Sequence, residues 1–250
     1  MDILGKTSKQ LNKLLDSIVA IVIVLIILFS SYSLYSSFMM FKGAFVSDTL
    51  LSMKPVKAAG SDESINFDQI RGINPDVKSW VTVDNTNIDY PVLQGKTNLE
   101  YINKNIYGEF AFEGSIFMDV RNKPDFSDSY NLLYGHHMEH GAMFGDLQLF
   151  LEKDFFDKNR TGTLTTENGE YKIDFFTVIQ ADGYDQHVFN PHYFGEKSIS
   201  PELLDYLDTK KVHSRDIEIS ADDKIIALST CTSTQTNGRT ILYGVLRAVE

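Results

Sequence analysis

The sequence predicts a mainly β domain, an antiparallel β-barrel with peripheral helices, preceded by one N-terminal transmembrane helix. Ser17–Phe41 is a run of 25 residues without a charge. Downstream, short β-branched and aromatic runs alternate with turn-rich tetrads, the pattern of strands joined by hairpins. Two further segments carry helical signals, which places helices at the edge of the sheet. The 43% hydrophobic and 23% charged composition is that of a globular chain, and a net charge of −11 argues against nucleic acid as a partner, because no basic face would neutralise phosphates. A single cysteine in 250 residues excludes an internal disulfide and suits the cytosol or a Gram-positive surface.

Residues 1–16 are expected to form a cytoplasmic N-terminus, 17–41 a membrane anchor, 42–66 a stalk and 67–250 the folded domain. As a helix, 17–41 would span roughly 37 Å at about 1.5 Å per residue, against a hydrocarbon core of about 30 Å. Lys6, Lys9 and Lys13 precede it and only Lys42 follows closely, so the positive-inside rule places the domain outside a single-pass span. A cleaved signal peptide is the alternative. Against it, the uncharged run continues through Ser30–Phe41, and no A-x-A-like site follows the apolar core. Met53–Asn66, with Pro55, Lys57 and Gly60, has the composition of a stalk.

In the domain, Trp80–Val83 and Ile88–Val92 flank Asp84-Asn85-Thr86-Asn87 and predict a hairpin. Ser115–Val120 predicts another strand. Gly162–Thr166 and Tyr171–Ala181 flank Glu167-Asn168-Gly169-Glu170, whose central Asn-Gly is a strong hairpin signal. Asp146–Lys158 is apolar on one broad face and predicts a helix over the sheet. Ser200-Pro201-Glu202 opens a second helix, to about Lys211, with a cap residue, proline at the first position and an acid in the first turn.

Lys224–Arg247 holds the one cysteine. Ile225–Leu228 and Thr240–Leu246 read as buried strands joined by the polar loop Thr232–Gly238, with Cys231 ending the first and Arg239 beginning the second. A lone strand cysteine is commonly a small core residue. Here the loop side is polar and a guanidinium lies across it, conditions that favour an open thiolate. The base for such a nucleophile is sought in Tyr134-Gly135-His136-His137-Met138, and the 95 residues between His136 and Cys231 are an ordinary separation for a Cys/His pair.

Leu228-Ser229-Thr230-Cys231 with Arg239, Tyr134-Gly135-His136, Ile88-Asp89-Tyr90-Pro91-Val92, Gly114-Ser115-Ile116-Phe117-Met118-Asp119 and Met143-Phe144 together resemble the class B sortases, over about Phe67 to Leu246. The resemblance implies a sortase-like barrel and a membrane-anchored cysteine transpeptidase. Cys231 would attack a threonine carbonyl in the C-terminal sorting signal of a surface protein, NPQTN-like or LPxTG-like, and form a thioester. His136 would serve as acid and base, and Arg239 would hold the carbonyl oxygen. Ser229 and Thr230, and by matching position Asn98 and Ile102, would contact the signal. The acceptor would be a peptidoglycan cross-bridge or lipid-linked precursor amine, or a pilin lysine, and no cofactor is implied. His137 departs from the family, which commonly has asparagine there. Tyr134 reads as structural.

Two other classes are open. His136-His137-Met138-Glu139-His140 fits the inverted zinc-protease pattern H-x-x-E-H, with two histidines one turn apart on a helix, but glycines bracket it and it gives Cys231 and Arg239 no role. A non-catalytic surface binding domain is the third reading. Its mark would be an inert, buried thiol.

Overall fold

The computed structural model describes residues 2–55, 65–231 and 237–249, with side chains from residue 8 onward except that of Cys231; the loop residues 232–236 and the stalk residues 56–64 lie outside the description. The N-terminal unit is helix α1, Asp2–Gly43. Its apolar side chains from Ile18 to Phe29 are exposed, and among the described residues it is the one helix long and apolar enough to cross a membrane.

The second unit carries α2 (Asp48–Leu51), α3 (Asp68–Ile73), β1 (Val77–Val83), β2 (Asp89–Leu93), β3 (Ile116–Met118), β4 (Tyr130–Tyr134), α4 (Lys153–Lys158), β5 (Thr161–Thr166), β6 (Gly169–Asp182), α5 (Gln186–Phe189), α6 (Pro201–Lys210), β7 (Lys211–Ser214), β8 (Lys224–Cys231) and β9 (Gly238–Ala248). The strands run β5-β1-β2-β3-β4-β8-β9-β6, and β5 pairs with β6 to close a barrel; β7 is added along β6. Closure leaves no free edge around the ring. Most pairings are antiparallel, whereas β2–β3 and β4–β8 are parallel. Both parallel pairs need long crossovers, and these become the walls of the site.

Strands β8 and β9 are buried on both faces. Ile226, Leu228 and Leu242 point into the barrel, while Ile225, Ala227, Ile241 and Tyr243 face the layer under α5 and α6. This is why both read as unbroken apolar runs. Ser200 caps α6, its Oγ accepting from Glu202 N at 3.1 Å.

Three expectations are corrected. The 146–158 helix is two pieces, a 3₁₀ segment Gly145–Leu151 and α4, broken where Glu152 is extended. Leu147 and Phe156, nine positions apart, would lie on opposite sides of one straight helix. The break sends both to the core, where each is fully buried. In the second hairpin the turn is Glu167-Asn168, because Gly169 (φ 144°) already pairs with Thr166. The stalk, expected over 42–66, is in part domain: Ala44 and Leu50 are buried and Lys54 pairs with Asp89 at 2.6 Å. Ala44 and Leu50 go to the core with Phe45 and Val46 packed against it, and the Pro/Lys/Gly composition beyond them gave no sign of it.

Tyr90 fastens this segment. Its hydroxyl donates to Ala44 O at 2.8 Å and accepts from Met143 N at 2.9 Å, and burial pushes its pKa up to about 12. Tyr90→Phe leaves both backbone groups unpaired in the core, at a cost of about 1–3 kcal/mol. The expected result is a Tm lower by roughly 2–4 °C per kcal/mol in a thermal melt; an unchanged Tm would show that neither bond matters.

Candidate functional site

The site is built by strand register. β4 and β8 run parallel with Tyr134 opposite Ser229, and Gly135 N donates to Ser229 O at 3.1 Å. Gly135 admits no side chain: a Cβ there would lie 2.4 Å from Ile116 Cδ1 and 2.7 Å from the Phe144 ring. His136 therefore leaves β4 at the level where β8 reaches Thr230 and Cys231. On the other flank, β8 and β9 pair with Cys231 opposite Arg239. Three adjacent strand ends thus carry His136, Cys231 and Arg239. Cys231 enters by its backbone, since its side chain lies outside the description.

A cavity of 150 Å³ opens here, lined by Ile102, His136, Ser229, Thr230 and Arg239, with Phe117, Tyr134 and Gly135 completing it. His136 Nε2 lies 2.8 Å from Ile102 O. A carbonyl only accepts, so the proton is on Nε2, and Nδ1 of the neutral ring is the acceptor. The Ser229 and Thr230 hydroxyls are buried without a hydrogen-bond partner among the described residues. An unpaired buried hydroxyl costs about 1–3 kcal/mol, which a ligand with amide groups would recover. Arg239 Nη1 donates to Asn237 O at 3.1 Å and Gly238 O at 3.0 Å, and no carboxylate among the described residues pairs with it. The cavity therefore offers a cation, two hydroxyls and an imidazole to a neutral or carbonyl-bearing ligand.

Of the residues singled out in the sequence, the structure gathers Ile102, His136, Ser229, Thr230 and Arg239 around the cavity and sets the Cys231 backbone beside them. It does not bring Asn98 into the lining. Asn98 Nδ2 donates to Asp119 Oδ2 at 2.8 Å and Oδ1 accepts from Val120 N at 2.7 Å. Nor does 136–140 form the helix that the zinc pattern requires, for Met138 is extended and His140 is left-handed at φ 57°.

Sequence reasoning quoted Asp119 as the end of a motif but gave it no role; it is a fully buried carboxylate just behind the cavity. Arg121 donates to it from Nε at 2.8 Å and Nη2 at 2.6 Å, and Tyr134 Oη donates at 2.8 Å. Burial pushes this carboxyl up, but the Arg121, backbone and Tyr134 hydrogen bonds together outweigh it and hold the pKa below the ordinary aspartate range. Burial first, then Asp119, pushes the Tyr134 hydroxyl far above its ordinary value. The one signal in the sequence is an acid directly after the apolar run Ile116-Phe117-Met118.

Residues 81–247 match the model of the sortase domain family. Sortase B of Listeria monocytogenes is 33% identical over 179 residues, 71% of this chain and 72% of the relative. A Streptococcus pyogenes class B sortase involved in pilus biogenesis superposes with a TM-score of 0.67 at 42% identity, over 73% of this chain and 98% of that one. The Staphylococcus aureus sortase B–substrate complex does so with a TM-score of 0.65 at 30% identity, over 74% of this chain and 85% of that one.

Two outcomes follow from the geometry. Gly135→Ala strikes Ile116 and Phe144 and forces them, or the backbone that carries His136, to move, so acylation by substrate should fall at least about tenfold while Tm drops by the equivalent of about 1–3 kcal/mol; full activity in a stopped assay would mean the contact is soft. The depressed Asp119 pKa adds stability that is complete above its unfolded value of about 3.9 and is lost as pH falls through the lower folded value. Acid unfolding followed by circular dichroism should therefore lose part of its pH dependence below about pH 4 in Asp119→Asn.

Proposed function

The chain belongs to the class B sortases, which are cysteine transpeptidases, and we propose that it uses Cys231, His136 and Arg239 to transfer surface proteins from a C-terminal sorting signal to an amine. The observation that supports this is a cavity bordered by both His136 and Arg239 at the end of the strand that bears Cys231. In this reading the Cys231 thiolate attacks the threonine carbonyl carbon of the signal, and an S–C bond forms as the C–N bond breaks. Protonated His136 gives its proton to the departing amine, through Nδ1 because Nε2 is held by Ile102. An incoming amine then attacks the thioester, neutral His136 takes its proton, and Cys231 leaves as thiolate. Arg239 donates to the carbonyl oxygen as it gains negative charge. Ser229 and Thr230 hydrogen-bond the peptide, and Ile102 packs against it.

We further propose that 17–41 anchors the enzyme in the cell membrane, with 1–16 cytoplasmic and the catalytic domain outside. The acceptor of the first reading is the amine of a peptidoglycan cross-bridge or its lipid-linked precursor. Polymerisation of pilins through a lysine amine is the second. It is favoured by the 42% identity to the pilus-biogenesis enzyme, against 33% and 30% to the two sortase B relatives.

The test is intact-mass measurement of the full chain in detergent with NPQTN-like and LPxTG-like peptides, before and after adding cell-wall or lysine amines. The expected product is an adduct of the peptide's N-terminal fragment on the wild type, absent in Cys231→Ala, and discharged by the natural acceptor. His136→Ala and Arg239→Ala should each lower kcat/KM by about 10²–10³-fold, the usual cost of losing such a group. Near-normal turnover in Arg239→Ala would remove that residue from the mechanism.

A further inference from the structure

Asp119 sits behind the cavity, outside its lining, yet it is the point at which two segments that line the cavity meet a third packed behind them. On one side Asn98, in the β2–β3 crossover that also supplies Ile102, donates to Asp119 Oδ2 at 2.8 Å. Below, Tyr134, whose ring lines the cavity and whose neighbours are Gly135 and His136, donates to the same oxygen at 2.8 Å. On the far side Arg121 is clamped by both Asp119 oxygens and by its own backbone N at 2.9 Å from Oδ1, and its Nη2 also donates to Phe189 O, at the end of α5 in the β6–β7 connection. The Phe189 ring stacks on Tyr134 at 6.3 Å, so this connection is tied to the cavity wall twice. One fully buried carboxylate thus accepts from three side chains and a backbone N–H.

From this geometry we infer that Asp119 is a positioning residue for the transpeptidation, setting the spacing of two walls of the cavity in which the sorting-signal peptide is bound. These are the β2–β3 crossover that supplies Ile102, held through Asn98, and the end of β4, held through Tyr134, with Arg121 bracing the β6–β7 connection behind Tyr134. The inference rests on the cavity being the peptide site, as proposed above. Asn98 accordingly acts through Asp119, since its oxygen and one amide hydrogen are already engaged there and at Val120. Asp119 makes no contact with the reacting atoms. Its loss should therefore weaken peptide binding and leave the chemical step of bound peptide intact.

The experiment measures acylation of the full chain by a sorting-signal peptide, with kcat and KM determined separately for the wild type, Asp119→Asn, Arg121→Gln and Asn98→Ala. Asparagine keeps the shape but cannot pair with the Arg121 fork. KM in Asp119→Asn is expected to rise about tenfold with kcat unchanged, the scale of losing one charged hydrogen bond. Arg121→Gln added to Asp119→Asn should raise KM no further, because both removals break one tie. An Asp119→Asn that does not fold leaves Asn98→Ala, which frees the crossover wall, and Arg121→Gln, which removes the brace behind Tyr134, each with the same KM-specific expectation. Unchanged KM in the folded variants, or a fall in kcat at constant KM, overturns the inference, even where Tm has dropped. No acyl-enzyme in the wild type with any peptide overturns the reading of the cavity and this inference with it.

Discussion

The site depends on one constraint, the parallel register of β4 against β8. Side chains along a strand alternate between faces, so a slip of one residue would exchange Ser229 and Thr230 and carry the end of β8 away from His136. The register is held from both sides of the sheet. Gly135 is packed so closely under Ile116 and Phe144 that no other residue fits, and Leu132 and Leu133 are committed to opposite core layers opposite Ala227 and Leu228. The antiparallel partner β9 then fixes Arg239 across from Cys231 with no further degree of freedom. Residues 95 positions apart in the chain are in this way located by backbone hydrogen bonds rather than by loops.

The buried polar groups around this barrel end divide into two sets. Behind the cavity every donor and acceptor of Asp119, Asn98 and Tyr134 that the sheet brings together is matched, as a low-dielectric interior demands. In front, among the described residues, the Ser229 and Thr230 hydroxyls have no partner and Arg239 donates to backbone carbonyls. Native interiors leave few such groups unmatched. Ser229 and Thr230 both line this cavity, where a peptide, in the reading proposed above, brings alternating amide donors and acceptors of its own.

How much of this the sequence disclosed follows from what kind of signal each part gives. β8, β9 and the β1–β2 hairpin were legible because burial on two faces, or a turn tetrad between apolar runs, writes itself into consecutive residues. The cap of α6 was legible for the same local reason. The break at Glu152 was not, since the apolar pattern of 146–158 shows which residues are buried but not that they meet one core from two directions. Parallel pairing of β2 with β3 and β4 with β8 joins distant segments and leaves no local trace. In the site, the motif resemblance assigned roles to five of the eight residues that line the cavity, whereas the role of Asp119, quoted only as the end of a motif, escaped because a single acid after a strand says nothing until Arg121, Asn98 and Tyr134 are seen around it.

The burial of Ala44 bears on where this enzyme can be divided. α1 runs to Gly43, and the next residue is already core, with its carbonyl engaged by Tyr90. A soluble form cut within the stretch that looks like a spacer, near 61, would lose Ala44 and Leu50 and open the barrel's flank to water. One cut at 43 would keep both. The core therefore begins one residue after the long apolar helix ends, so the same few residues must end a helix and begin a core.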